Sequence, residues 1–214
     1  LGRVVQSLRM LGYEQEIVER PSMLLGAINM SPLEINQLYL TLANKGQFQY
    51  AHAITKIVAS NGVTLWEFLQ PSEPRVSAQA SYLVDYALHQ VTQTGTAKSL
   101  SWHLKGQRVA GKTGTSNDLR DSWFIGYDQE QLVTTWIGFD DNKATKLTGS
   151  SGALVLFADY MKHSGVKSMK LEPPQEIAMT NFDAKTGNAV DEKCQQMHSY
   201  PAIQRGLTYY QCLD

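Results

Sequence analysis

No run of apolar residues in this 214-residue sequence approaches the roughly 18 that a membrane-spanning helix needs, and no signal-peptide pattern opens it. Charge of one sign is missing too. Nineteen Lys and Arg stand against twenty Asp and Glu, a formal net charge of −1 with no basic block, so the electrostatic footprint of a nucleic-acid partner is absent. There are only two cysteines, Cys194 and Cys212, and both fall near the end. The five histidines share no spacing with them that resembles a zinc site, so neither a metal nor a cofactor is expected. The cysteines read either as a disulfide or as two free thiols. Bonded, they would staple a polar tail, stabilise it by about 3 kcal/mol in the chain-entropy description, and put the domain outside the cytosol. The sequence opens on Leu1 rather than Met, and reads as a piece cut from a longer protein. What is present is globular. With 43% hydrophobic and 18% charged residues, the length suffices for one substantial domain, or one domain plus a small appendage.

Val4, Leu8 and Leu11 recur at helical spacing before Gly12, predicting an opening helix that Pro21 breaks. The apolar run 23–30 is too short to classify by period. Ser31-Pro32-Leu33-Glu34 predicts a helix start with a capping box and proline in the first turn, with a stripe of Ile35, Leu38, Tyr39 and Leu42 and a stop at Gly46. Segments 54–58 and 63–68 flank Asn61-Gly62, a strong hairpin signal. Pro71 to Pro74 reads as loop. A helix follows from an N-cap at Ser77 to Thr94, its buried stripe Ala80, Leu83, Val84, Ala87, Leu88 and Val91. Thr94-Gly95-Thr96 reads as its C-terminus, with the glycine suited to a left-handed cap. Three strands in close succession, at 109–115, 122–127 and 132–139, predict an antiparallel meander. A last helix carries Leu154, Phe157, Ala158 and Met161. Whether Gly149-Ser150-Ser151-Gly152 before it faces a site or only makes a tight turn is left open. The fold class is therefore α+β, an antiparallel sheet with helices packed on it. Apolar density falls past Gly165, so residues 1–165 are expected to form the main domain and 166–214 a separate tail with one hairpin.

The first strand carries Lys112-Thr113-Gly114-Thr115 within Gln107-Arg-Val-Ala-Gly-Lys-Thr-Gly-Thr115. A cation, two hydroxyls and a glycine on an extended segment suit an extended anionic ligand. The hydroxyls donate to a carboxylate, the lysine supplies positive potential, and the glycine admits a close backbone. Lys185-Thr186-Gly187 repeats the tripeptide without an apolar strand before it, and reads as a turn bounded by Asp183 and Gly187. Trp123 and Trp136 read as core under the sheet, with cleft lining as the alternative.

Six pieces in order resemble the second half of the transpeptidase domain of bifunctional class A penicillin-binding proteins, with the 1B branch of Gram-negative bacteria nearest. They are Met23-Leu-Leu-Gly-Ala-Ile-Asn-Met-Ser-Pro-Leu-Glu34, Thr41-Leu-Ala-Asn-Lys-Gly46, Val91-Thr-Gln-Thr-Gly-Thr-Ala97, Ala110-Gly-Lys-Thr-Gly-Thr115, Asp121-Ser-Trp-Phe-Ile-Gly-Tyr127 and Trp136-Ile-Gly-Phe-Asp140. The likeness covers residues 1–165, and the paired tail cysteines agree with it. It implies a penicillin-binding protein or serine β-lactamase-like fold. It also implies a serine acyl-enzyme that cross-links peptidoglycan stem peptides ending in D-Ala-D-Ala and is inhibited by β-lactams. Lys112 and Thr115 would then be catalytic, and Thr113, Gly114 and Thr115 would bind substrate. The parent would be a glycan-polymerising glycosyltransferase as well, held on the periplasmic face of the inner membrane by an anchor elsewhere.

The family's nucleophile is a serine in Ser-x-x-Lys, followed by a Ser-x-Asn element, both before Lys-Thr-Gly. No serine here has asparagine two positions on, and Ser164-Gly-Val-Lys167 comes after the strand, in the wrong order. The nucleophile half is thus expected to be a missing N-terminal partner, leaving this stretch inactive alone and its cut sheet open to homodimerisation. Two other readings are a serine β-lactamase relative and a non-catalytic binding module of the same fold.

Overall fold

The computed structural model describes residues 1–191 and 196–212. Its first half is helical. α1 (Gly2–Leu11) ends at Gly12, whose φ of 106° only glycine adopts without strain. A 3-10 turn (Pro21–Leu25) occupies the apolar run the period left unclassified. α2 (Pro32–Ala43) begins with the expected capping box: the Ser31 hydroxyl accepts from the Glu34 N–H at 3.3 Å, and the Ser31 N–H donates to Glu34 Oε2 at 2.7 Å. Its buried residues are Leu38 and Thr41, while Ile35, Tyr39 and Leu42 are half-buried. The threonine is buried because its hydroxyl donates to the Leu11 carbonyl, tying α2 to the end of α1.

β1 (Gln47–Phe48) pairs antiparallel with β4 (Glu73–Pro74), closing the base of an excursion that holds the hairpin β2 (Lys56–Val58) and β3 (Thr64–Glu67). The segment 71–74 is therefore not all loop. Every residue of β2 and β3 is exposed, so the hairpin stands off the body. α3 (Ala78–Gln93) is capped by Ser77 as expected, but its fully buried positions are Ser81 and Thr92 rather than the aliphatic stripe, and Val84 is exposed. The helix meets a polar strand end: Thr92 Oγ1 donates to the Val109 carbonyl at 2.9 Å, and His89 Nδ1 lies 3.0 Å from the same oxygen. Gly95 is not left-handed. It is small because an added Cβ would sit 2.9 Å from the Val91 Cα. A short helix that the sequence does not announce, α4 (Ser99–His103), follows.

The meander is β5 (Ala110–Thr115), β6 (Ser122–Tyr127) and β7 (Leu132–Ile137), in sheet order β5-β6-β7. Paired residues share a face, so Thr113, Phe124 and Thr135 lie on one side and Gly114, Trp123 and Trp136 on the other. α5 (Ala153–Ser164) covers the first side. Its expected stripe of Leu154, Phe157, Ala158 and Met161 is completely buried, and Phe157 stacks on Phe124 with ring centroids 4.7 Å apart. α2 and α3 cover part of the second side, where Tyr127 and Ala110 pack with Met169, Tyr39 and Leu88. There the Tyr127 hydroxyl donates to Asp85 on α3 at 2.5 Å. Burial pushes the Asp85 carboxyl up to about 6, against the pull of that hydrogen bond and of Lys45.

Residues 166–171 stay on the meander. The Lys167 N–H donates to Asp128, the Met169 N–H to the Arg108 carbonyl, and Met169 is buried. Beyond them a four-stranded sheet forms where one hairpin is expected. β8 (Ile177–Asp183) pairs antiparallel with β10 (Met197–Ile203) over seven residues, and β9 (Ala189–Val190) and β11 (Tyr209–Tyr210) extend it in the order β10-β8-β9-β11. Cys194 lies outside the described residues, and with it the expected pairing to Cys212. Among the described residues no helix is long and apolar enough to cross a membrane.

Candidate functional site

β5 is the edge of its sheet, and this places Lys112-Thr113-Gly114-Thr115 along an open strand edge. The Ser116 N–H donates across to the Asp121 carbonyl at 3.2 Å, so strand alternation turns the Thr115 N–H outward. The hairpin joining β5 to β6 is fixed by polar contacts. Ser116 Oγ accepts from the Asp121 N–H at 2.7 Å and donates to its carboxylate at 2.8 Å, and Trp136 Nε1 donates to the other carboxylate oxygen at 3.0 Å.

The four site residues have different surroundings. Lys112 is exposed, and its ammonium donates to the Thr113 carbonyl at 2.8 Å. Gly114 lies against Trp123, where an added Cβ would come 3.1 Å from the indole's own Cβ. Thr115 Oγ1 accepts from the Gly149 N–H at 2.9 Å. An N–H is a fixed donor, so the Thr115 proton points elsewhere and the hydroxyl is preset to donate. Thr113 Oγ1 is 2.7 Å from Thr96 Oγ1 in the turn after α3. Two hydroxyls and a cation on an open edge make an anion-binding strand.

The open question about residues 149–152 is answered by contact. Gly149 rests on the β5–β6 ladder so closely that a Cβ would be 2.6 Å from both the Gly114 and Trp123 carbonyl oxygens. The same turn leads into α5, whose first N–H, at Ala153, donates to Ser122 Oγ on β6 at 2.8 Å. Only Gly, with no Cβ, brings this turn onto the strand that carries the site.

Trp123 and Trp136 do not pack under the sheet as expected. Trp136 is 38% exposed and Trp123 half-buried, their rings 5.9 Å apart on the face away from α5. The look-alike Lys185-Thr186-Gly187 sits in the turn after β8. Asp183 Oδ1 accepts from the Lys185 and Thr186 N–H groups and from the Thr186 hydroxyl, and these hydrogen bonds hold its carboxyl below the usual range. Ser164 is the last residue of α5 and Lys167 lies beyond Gly165, so no helix presents one to the other. Among the described residues no group of His, Cys, Asp and Glu could hold a metal.

Residues 11–162 match the penicillin binding protein transpeptidase domain. The chain belongs to the penicillin-binding protein transpeptidase family. Penicillin-binding protein 1B of Vibrio cholerae is 37% identical to it over 202 residues, 94% of this chain and 26% of that protein. The Escherichia coli K12 penicillin-binding protein 1B is 37% identical over 163 residues, and penicillin-binding protein 1A of Aquifex aeolicus 32% over 178, covering 76% and 81% of this chain and 19% and 24% of those proteins. The chain thus spans about a quarter of the length of the relatives it matches. Among solved structures, penicillin-binding protein 1A of Haemophilus influenzae superposes with a TM-score of 0.84 at 21% identity, over 96% of this chain and 37% of that one. The Mycobacterium tuberculosis PonA1 protein in complex with penicillin V follows at 0.63 and 18%, over 80% and 52%. These two establish the fold, mixed helices and antiparallel sheets in the arrangement of class A transpeptidase domains.

The sequence missed two contacts of the site, Thr96 on Thr113 and Gly149 on Thr115. Both come from distant segments, and the only local signals were a Thr-Gly-Thr tripeptide and a paired-glycine turn.

Proposed function

We propose that this chain forms one wall of the active site of a peptidoglycan D,D-transpeptidase. The observation that carries this reading is the open edge of β5, where the Thr113 and Thr115 hydroxyls share a face and Gly149 leaves Thr115 as a donor. In this role the two hydroxyls bind the terminal carboxylate of a D-Ala-D-Ala stem peptide, or the carboxylate of a β-lactam. The outward Thr115 N–H is one oxyanion donor, a contact whose loss raises a barrier by about 3 to 4 kcal/mol. Lys112 supplies positive potential and orients the serine of Ser-x-Asn. Gly114 leaves room for the substrate backbone along the edge.

The reaction is acyl transfer. A serine oxygen attacks the carbonyl between the two D-alanines and passes its proton to a base. D-alanine leaves with a proton, and an ester to the serine remains. An amine from a neighbouring strand attacks that ester, forms the cross-link and frees the serine. The sequence has no Ser-x-x-Lys and Ser-x-Asn before Lys112, so in this reading both come from an N-terminal segment of the same polypeptide. These 214 residues then do not acylate by themselves. The parent is also a glycan-polymerising glycosyltransferase, anchored in the inner membrane with this part on the periplasmic side. There Cys194 and Cys212 are bonded, and residues 166–214 form an appended unit.

Labelling by a fluorescent penicillin tests the proposal. The full-length polypeptide is expected to label and residues 1–214 are not. Labelling of residues 1–214 sinks the divided-site reading. A full-length polypeptide that stays unlabelled points instead to a binding module.

A further inference from the structure

Two hydroxyls 2.7 Å apart share a single proton between them, and which one donates depends on what else each one meets. Thr113 lies on β5, while Thr96 belongs to the turn after α3 and makes no other side-chain hydrogen bond among the described residues. We propose that Thr96 is a positioning residue for the site: it donates to Thr113 Oγ1, which leaves the Thr113 proton to donate to a ligand carboxylate at the open edge of β5. The inference rests on reading β5 as the carboxylate-binding strand, and brings in a residue from outside that strand.

An anion accepts hydrogen bonds and cannot donate, so a carboxylate on Thr113 must take that residue's proton. Thr113 Oγ1 then has only lone pairs to offer Thr96, and the pair is polarised in one direction, Thr96 to Thr113 to ligand. Each bond in such a chain strengthens the next. Thr115 reaches the same state by another route, through the Gly149 N–H. Both hydroxyls on this face thus have a protein donor behind them, an arrangement suited to a carboxylate rather than to a neutral amide.

The frame around Thr96 is rigid enough for the role. Ala97 beside it is completely buried in the cluster that contains Phe124 and Phe157. The Ala97 N–H bonds back to the Val91 carbonyl, and the Lys98 N–H to that of Gly95. Gly95 leaves no space for a Cβ against Val91. α3 is in turn fastened to the start of β5 by Thr92 and His89 on the Val109 carbonyl. The distance between Thr96 and Thr113 is therefore set from both ends.

The test is acylation of the full-length polypeptide by a fluorescent penicillin, with Thr96→Val and Thr96→Ser beside the wild type. Valine keeps the shape and loses the donor, and the second-order acylation rate is expected to fall about 3- to 10-fold, the span of one net hydrogen bond. The loss should lie in the concentration dependence and leave the limiting rate alone, and serine should restore the rate to within about twofold. An unchanged rate in Thr96→Val, or a serine variant as impaired as the valine one, overturns the proposal. Crystal structures of the wild type and Thr96→Val provide a second arm that needs no acylation. A second rotamer of Thr113 in the variant supports the positioning role, and an unaltered one overturns it. If the wild type takes no label, the transpeptidase reading fails by itself, and the rotamer still decides what Thr96 does.

Discussion

Replacing Gly149 by alanine should loosen the site strand from the helix that supports it. The added Cβ would lie 2.6 Å from two carbonyl oxygens, those of Gly114 and Trp123, and 2.9 Å from the Gly114 nitrogen. These are backbone atoms of two hydrogen-bonded strands and cannot rotate aside, so the turn itself must lift. Overpacking of this kind costs about 1 to 3 kcal/mol. Lifting the turn also parts the Gly149 N–H from Thr115 Oγ1, about 1 kcal/mol more. Alanine returns about 0.4 to 1 kcal/mol through the unfolded chain, because the φ of Gly149 is not one that excludes it. The net loss is about 2 to 3 kcal/mol, which for a chain of this length lowers Tm by roughly 4 to 12 °C. Thermal unfolding followed by circular dichroism measures it. Gly2→Ala, with nothing within 4 Å, serves as the control and should not lower Tm. Thr115→Val removes only the hydroxyl acceptor, so the double variant should lose less than the sum of the two single ones. A Gly149→Ala protein melting within about 2 °C of wild type would refute the reasoning, since the turn would then have room the distances deny it.

Other outcomes follow from the same contacts. Phe157→Ala empties a completely buried position against Phe124, and is expected to cost about 3 to 5 kcal/mol in chemical denaturation; a loss below about 1 kcal/mol would mean that α5 is not the cover of the sheet. The folded state holds the Asp85 proton up to a pH of about 6, above the ordinary 3.8, so its contribution to stability is complete below pH 3.8 and disappears as pH rises to about 6. At 1.36 kcal/mol per unit the swing is about 2 to 3 kcal/mol. Asp85→Asn, which keeps an acceptor for the Tyr127 hydroxyl, should flatten the stability profile across that window. Parallel profiles for variant and wild type would contradict this. In the full-length polypeptide, Thr115→Val is expected to lose penicillin acylation while remaining folded by circular dichroism, and unchanged acylation kinetics would reject the carboxylate role. Limited proteolysis should cut first between Leu171 and Ile177, after the residues tied to the meander, and release the tail sheet. Early cuts within α5 would argue against a separate unit.

Much of the site strand could be read from the sequence because its signals are local. The capping box at Ser31, the spacing of Leu154, Phe157, Ala158 and Met161, and the three strand segments separated by polar turns all use short-range rules, and each formed as expected. The errors lie where a distant partner overrides a local pattern. Thr92 and Thr41 are buried because carbonyls of other segments meet them, so an aliphatic stripe could not mark the inward face of their helices. Gly95 looked like a helix cap and is instead a close approach to the backbone of the previous turn. Trp123 and Trp136 looked like core by size, yet lie on the sheet face that α2 and α3 only partly cover. The tail gave least, since β9 and β11 are two residues each and β11 joins in parallel, which no turn signal announces.

The most direct measurement is the mass and position of the adduct after the full-length polypeptide reacts with penicillin. The site strand described here recognises a carboxylate and brings no nucleophile, so peptide mapping should find a single acyl adduct on a serine N-terminal to Leu1. Ser164 and every other serine of residues 1–214 should stay unmodified. An adduct on any serine within these residues would contradict the division of the site between this strand and a nucleophile elsewhere.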